Sequence, residues 1–156
     1  METVRRIASF SVDHDYIGVG MYVSRIDGDV TTYDLRTRVP NAGDYMDNLT
    51  MHSLEHLFAT LVRSSEIGER VVYFGPMGCQ TGFYLLVRDS VNEETLAVVK
   101  DVLAKIAEYD GEMPGGTRKE CGNYRNLDVA AARVEAKRYL DALSSETVDF
   151  KYKESL

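Results

Sequence analysis

The sequence predicts an α+β fold, a mainly antiparallel sheet packed with three to four helices, on three observations. Short runs rich in aromatic and β-branched residues, such as Tyr16 to Ile26 and Arg70 to Phe74, read as strands. Apolar residues recur at three- and four-residue spacing in three longer segments, which read as helices. Strands and helices do not alternate in the regular way of parallel βαβ units, so the strands are expected to pair antiparallel.

The run Tyr16 to Ile26 is followed by the turn Asp27-Gly28-Asp29 and a second run, Val30 to Leu35, which together predict a β-hairpin. Pro40-Asn41-Ala42-Gly43-Asp44 interrupts the pattern. Met51, Leu54, Leu57, Phe58, Leu61 and Val62 then recur at helical spacing, with Asn48 or Thr50 as N-cap, which predicts a helix from about Thr50 to Arg63. Arg70 to Phe74 and Phe83 to Arg88 are two further apolar strands, joined by the loop Gly75 to Gly82. Ser90 and Glu93 have the spacing of a capping box before a second helix, whose Leu96, Val99, Leu103 and Ile106 form one stripe. The segment Gly111 to Gly116 ends it. A third helix, roughly Asp128 to Leu143, follows a loop containing Cys121, and the tail from Ser144 is polar. No repeat or low-complexity linker divides the chain, so residues 1–156 read as a single domain.

With 156 residues and 44% hydrophobic content, the chain can build a core without disulfides or metal staples, so any bound metal is expected to be a working ion. No stretch approaches the roughly 18 to 20 apolar residues of a membrane span, and Met1 to Phe10 carries charge where a signal peptide is apolar. A cytoplasmic location is the expectation. The formal charge of −7 comes with no basic patch, since Arg5, Arg6, Arg36 and Arg38 are scattered among acids, which argues against nucleic acid or another polyanion as partner.

Two of the three histidines sit four residues apart in His52-Ser53-Leu54-Glu55-His56, an H-x-x-E-H pattern. On a helix, residues i and i+4 share a face with Cβ atoms about 5 to 6 Å apart, so two imidazoles can share one metal. Glu55 borders the same face and can reach a group bound to that metal without ligating it. A catalytic divalent site uses three protein ligands and keeps one position for water or substrate. Candidates for the third are His14 and either cysteine. Cys121 precedes Gly122 just ahead of a helix, where a loop can deliver a thiolate; its bland alternative is a small buried hydrophobe. Cys79, flanked by Gly78 and Gly82 in a tight loop, is presented at a strand end. A thiol placed near a dication or an arginine is partly thiolate at neutral pH, which suits a base or nucleophile.

Several segments together carry a resemblance. His52-Ser53-Leu54-Glu55-His56-Leu57-Phe58-Ala59, Pro76-Met77-Gly78-Cys79-Gln80-Thr81-Gly82-Phe83-Tyr84, Cys121-Gly122, Ser9-Phe10-Ser11-Val12-Asp13-His14 and Asp34-Leu35-Arg36 with Pro40-Asn41 occur in the order and approximate spacing of one family. From about Ser9 to Leu143 the chain resembles S-ribosylhomocysteine lyase, the enzyme of autoinducer-2 production. The resemblance implies a homodimer, and one Fe(II) per subunit, replaceable by Zn(II) or Co(II), bound by His52, His56 and Cys121 with water in the fourth position. It implies that Glu55 and Cys79 are the acid/base pair. It further implies that Ser9, His14 and Arg36 line a substrate pocket at the dimer interface. Arg63, seven residues beyond His56, shares the metal-side face and is a candidate for the substrate carboxylate. The chain departs from the family pattern at Tyr73-Phe74-Gly75, where Asp-Ile-Ser is usual, and at Thr37, where Phe commonly follows the arginine. Neither change touches an implied ligand or acid/base residue, so activity is expected to survive with altered pocket detail.

The implied reaction converts S-ribosylhomocysteine to homocysteine and 4,5-dihydroxy-2,3-pentanedione by carbonyl migration and β-elimination. Two rival readings use the same motif. One is a zinc metallopeptidase of the inverted H-x-x-E-H type, which needs a downstream carboxylate ligand such as Glu120 or Glu135. The other is a non-catalytic metal-binding domain with Cys79 closing the fourth position.

Overall fold

A computed structural model describes residues 3–153 and arranges their strands in one sheet. The strands β1 (Gly20–Asp27), β2 (Val30–Arg36), β3 (Val71–Pro76) and β4 (Gly82–Arg88) lie in the order β1-β2-β4-β3, every pair antiparallel. The helices are α1 (Ala8–Ser11), α2 (Asn48–Arg63), α3 (Asn92–Ala107) and α4 (Val129–Ser145). The expected α+β class with an antiparallel sheet is what the chain adopts.

Side chains alternate across a strand, and here the alternation separates two very different faces. Tyr33, Leu35, Phe83, Leu85 and Val87 point to the helices and are at most 1% exposed. They meet Leu54, Leu57, Phe58 and Val62 of α2 and Val99, Val102 and Leu103 of α3 in one core. Phe74 stacks between Phe58 and Phe83, with ring centroids 4.3 and 5.0 Å away. The opposite face carries Asp34, Arg36, Tyr84 and Leu86, and the N-terminal segment lies against it. Apolar side chains nevertheless remain exposed around that face, among them Ile7, Phe10, Val72 and Tyr73.

Several boundaries differ from the sequence expectation, each for a local reason. β1 starts at Gly20 because residues His14–Tyr16 form a 3-10 turn, in which the Asp13 side chain accepts from the Asp15 backbone N–H at 3.0 Å. Asp47 caps α2, accepting from the Thr50 N–H at 2.8 Å, so the helix begins one turn before the apolar stripe requires. Ser90 does not cap α3: its hydroxyl is shared with the Tyr33 phenol at 2.6 Å and the Thr95 hydroxyl at 2.5 Å. Asp128 caps α4 by accepting from the Ala130 N–H. The tail is less polar in use than in composition. Phe150 is buried beside Tyr33, and its carbonyl accepts from the Val23 N–H of β1 at 2.9 Å.

A polar network fixes the segment that leads into α2. The Arg38 guanidinium forks onto the buried Glu135 of α4 at 2.8 and 3.0 Å, and donates to Asp44 at 2.6 Å. Arg138 donates to the other oxygen of Asp44. No helix among the described residues is long and apolar enough to cross a membrane.

Candidate metal centre and active-site cleft

On α2 the rings of His52 and His56 sit one turn apart, centroids 4.7 Å from each other and nearly perpendicular. Each is oriented from behind. Nδ1 of His52 donates to the Asn126 carbonyl at 2.9 Å and Nδ1 of His56 donates to the Pro114 carbonyl at 2.8 Å. A carbonyl can only accept, so the proton lies on Nδ1 and the lone pair of each ring is left on Nε2. Cys121 arrives from the loop between α3 and α4, its sulfur 3.4 Å from His52 Nε2. The donor atoms of His52, His56 and Cys121 all lie within 4.8 Å of one another. Two imidazoles fixed in the ligating tautomer and one sulfur at that separation fit a tetrahedral divalent ion with one position to spare.

The long loop carrying Cys121 is held close to the helix. Gly115 has φ +64, and a Cβ there would stand 3.3 Å from His56 Nδ1, so a side chain would press on the ring as well as strain the backbone. Glu55 is half-buried on the same helix and engages in no hydrogen bond or ion pair among the described residues.

A second constellation lies on the outer face of the sheet. Ser9, His14, Arg36, Cys79 and Tyr84 line a cleft of about 400 Å³ together with Phe10 and Met77. The loop bearing Cys79 is pinned by its backbone: the Met77 N–H donates to Gly82, and the Gln80 N–H to Met77. Gln80 takes a left-handed φ of +66, and its amide donates to the Met46 carbonyl at 2.8 Å. Cys79 is exposed, with its sulfur 3.0 Å from the Thr81 hydroxyl. His14 donates from Nδ1 to the Val12 carbonyl, leaving Nε2 as an acceptor.

Arg36 is only 3% exposed, and its fork is directed at Asp34, with bonds of 3.0 and 2.7 Å, while Nη1 donates to Thr81 at 2.8 Å. Burial works against its charge, but the hydrogen bonds to Asp34 and then the negative charge of Asp34 hold the guanidinium above its usual value. Burial, followed by the Asp34 charge, pushes the Tyr84 phenol up, so it stays protonated.

The model of the S-ribosylhomocysteinase (LuxS) family matches residues 7–149. The chain belongs to the S-ribosylhomocysteinase (LuxS) family. It is 40% identical to the S-ribosylhomocysteine lyase of Finegoldia magna over 91% of this chain and 94% of that one. It is 38% identical to the lyase of the same name from Desulfotalea psychrophila over 94% of this chain and 99% of that one. A third S-ribosylhomocysteine lyase, from Borreliella burgdorferi, is 38% identical over 91% of this chain. This LuxS chain is an enzyme, a carbon–sulfur lyase.

The expected site residues of this LuxS chain therefore fall into two groups. His52, His56 and Cys121 come together, with Glu55 on the same helix, while Ser9, His14, Arg36 and Cys79 come together in the cleft. Arg63 joins neither group; its Nη1 donates to the Val71 carbonyl at 3.2 Å and ties the end of α2 to β3. Tyr73 is exposed, with its ring over Gly75, where a Cβ would collide with the phenol oxygen. Thr37 is buried, and its hydroxyl donates to the Thr81 carbonyl. Sequence reasoning missed the orienting carbonyls of Pro114 and Asn126 and the Asp34 and Thr81 partners of Arg36. Only Asp34 carried a signal, an acid two residues before the arginine on a strand and hence on the same face.

Proposed function

We propose that the protein cleaves S-ribosylhomocysteine to homocysteine and 4,5-dihydroxy-2,3-pentanedione, using one divalent ion per subunit held by His52, His56 and Cys121. The observation that carries this reading is the convergence of those three donors within 4.8 Å, in a chain of this family. Fe(II) is the expected ion, with Zn(II) or Co(II) as substitutes. Bound there, it supplies a Lewis acid that polarises a sugar oxygen.

The thioether cannot leave until a carbonyl stands two carbons away from the carbon that bears it. Each of two carbonyl shifts moves one proton between neighbouring carbons, and no atom is gained or lost overall. Cys79 takes that proton as thiolate and returns it as thiol, in a loop rigid enough to present the sulfur to one edge of the sugar. In the last step a proton leaves the carbon next to the migrated carbonyl, the C–S bond breaks, and sulfur departs with the electron pair to be protonated as homocysteine. Glu55 handles the proton on the metal side and in that elimination. Ser9 and His14 offer hydrogen bonds to sugar hydroxyls. Arg63 remains a proposed contact for the substrate carboxylate only if it leaves Val71.

Neither Glu55 nor any of the three donors lines the cleft that holds Cys79. We propose that a second copy of the chain completes the site, covering the outer face where Ile7, Phe10, Val72 and Tyr73 are exposed. The metallopeptidase alternative loses support from the placement of its nominated carboxylates: Glu135 is bound to Arg38, and Glu120 accepts from the Thr117 hydroxyl. A site closed by Cys79 loses support from the separation of that residue from the donor group.

The test is release of free thiol from S-ribosylhomocysteine by the metal-loaded protein, followed with a thiol reagent. Cys121→Ser should lose both the ion, by elemental analysis, and the thiol release. Retention of a full complement of metal in that variant, or no thiol from the loaded wild type, would end this reading.

A further inference from the structure

Beyond the segment matched by the family model, which ends at residue 149, the chain turns back over the sheet and reaches the group that holds Arg36. Phe150 has φ +63, and after it Tyr152 crosses to the outer face, stacking on Tyr22 with centroids 4.8 Å apart. Its hydroxyl donates to Oδ2 of Asp34 at 2.8 Å, the same oxygen that accepts from Nη2 of Arg36 at 2.7 Å. Burial, then the charge of Asp34, keeps the Tyr152 phenol protonated well beyond neutral pH, so it acts there as a donor. We propose that Tyr152 is a positioning residue for Cys79, its phenol anchoring Asp34 so that the Arg36 guanidinium stays fixed beside the sulfur.

The inference rests on reading Cys79 as the proton-transferring thiol. Asp34 is 1% exposed and takes three hydrogen bonds on two oxygens. Removing the phenolic donor lets the carboxylate turn, and Arg36 turns with it. It also leaves more uncompensated negative charge near Cys79, since an O–H dipole aimed at a carboxylate offsets part of its field. Both effects disfavour a charged sulfur. Tyr22, Tyr84 and Tyr139 also feel the Asp34 charge, each with its phenol raised first by burial, so each stays neutral and adds no further negative charge beside Asp34.

Tyr152→Phe in the full-length protein keeps the stack on Tyr22 and removes only the donor. The rate of Cys79 alkylation by iodoacetamide at neutral pH, read by peptide mass spectrometry so that Cys121 is counted separately, should fall by about three- to tenfold, with its pH profile displaced upwards. The kcat should fall by a similar factor while KM stays within about twofold. A chain ending at Lys151 should behave the same way, because it retains the Phe150 bridge to β1. Unchanged alkylation and kcat in both variants, whatever their melting temperatures, would overturn the proposal. Full activity in Cys79→Ala would instead sink the role given to the thiol, an outcome that the alkylation data identify separately.

Discussion

Glu55 and Cys79, the two residues proposed to move protons, are held in different ways. Glu55 is half-buried on the helix that carries both imidazoles, and among the described residues no partner occupies its oxygens, whereas Cys79 is exposed in a loop whose backbone is bonded at Met77, Gln80 and Thr81. Neither side chain supports the core, so each can be changed without collapse. Glu55→Gln and Cys79→Ala are each expected to lower kcat by about 10² to 10⁴-fold with metal content unchanged, by elemental analysis alongside the thiol assay. Losses below tenfold in both would remove them from the mechanism. At this scale the histidine pair was legible because helical spacing is a property of the sequence itself. The carbonyls of Pro114 and Asn126 that orient the rings were not, since any residue has a carbonyl and only the fold decides where it points. Tyr152 was unread for a similar reason: a polar tail gives no hint that one of its side chains returns to a strand more than a hundred residues earlier.

The helix that carries both imidazoles is capped at its start by a single side chain. Asp47 accepts from Thr50, which holds its carboxyl below the usual value, first through the Thr50 side chain and then through its backbone N–H. Asp47→Ala should therefore cost about 1 kcal/mol, a fall in melting temperature of roughly 2–4 °C by calorimetry or circular dichroism. The loss belongs to the ionised cap, so it should be present above about pH 4 and shrink as acid protonates the carboxyl in the parent protein. An equal difference at acid pH would assign the effect to something other than the charge. Periodicity gave this helix its existence and its buried face, because burial of Leu54, Leu57, Phe58 and Val62 needs one stripe. It did not give the first residue, since several polar side chains near Asn48 can cap equally well. Ser90 makes the opposite point. Its spacing to Glu93 fits a capping box, yet Tyr33 and Thr95 offer buried partners that its hydroxyl takes instead.

Across the whole chain, the two halves of the proposed site lie apart, which makes a shared site testable without any new structure. His52→Ala retains the Cys79 cleft, and Cys79→Ala retains the donor group. After mixing and reassortment, half of the dimers are mixed, and each has one intact site. The mixture should recover about a quarter of wild-type activity from two inactive parents. No recovery, with exchange verified by native mass spectrometry, would require both halves to act within one chain. The fold class was legible because hairpin turns and apolar stripes are local, whereas the outer-face cleft joins residues near 9, 14, 36 and 79, and only the pairing of β2 with β4 brings Arg36 opposite Gly82. Sixty-five positions separate His56 from Cys121. On a ribosome adding roughly 5–20 residues per second, the imidazoles emerge several seconds before the sulfur exists. Capture of the proposed ion would thus wait until synthesis is nearly finished, and a nascent chain released early carries two imidazoles that have no third donor to join them.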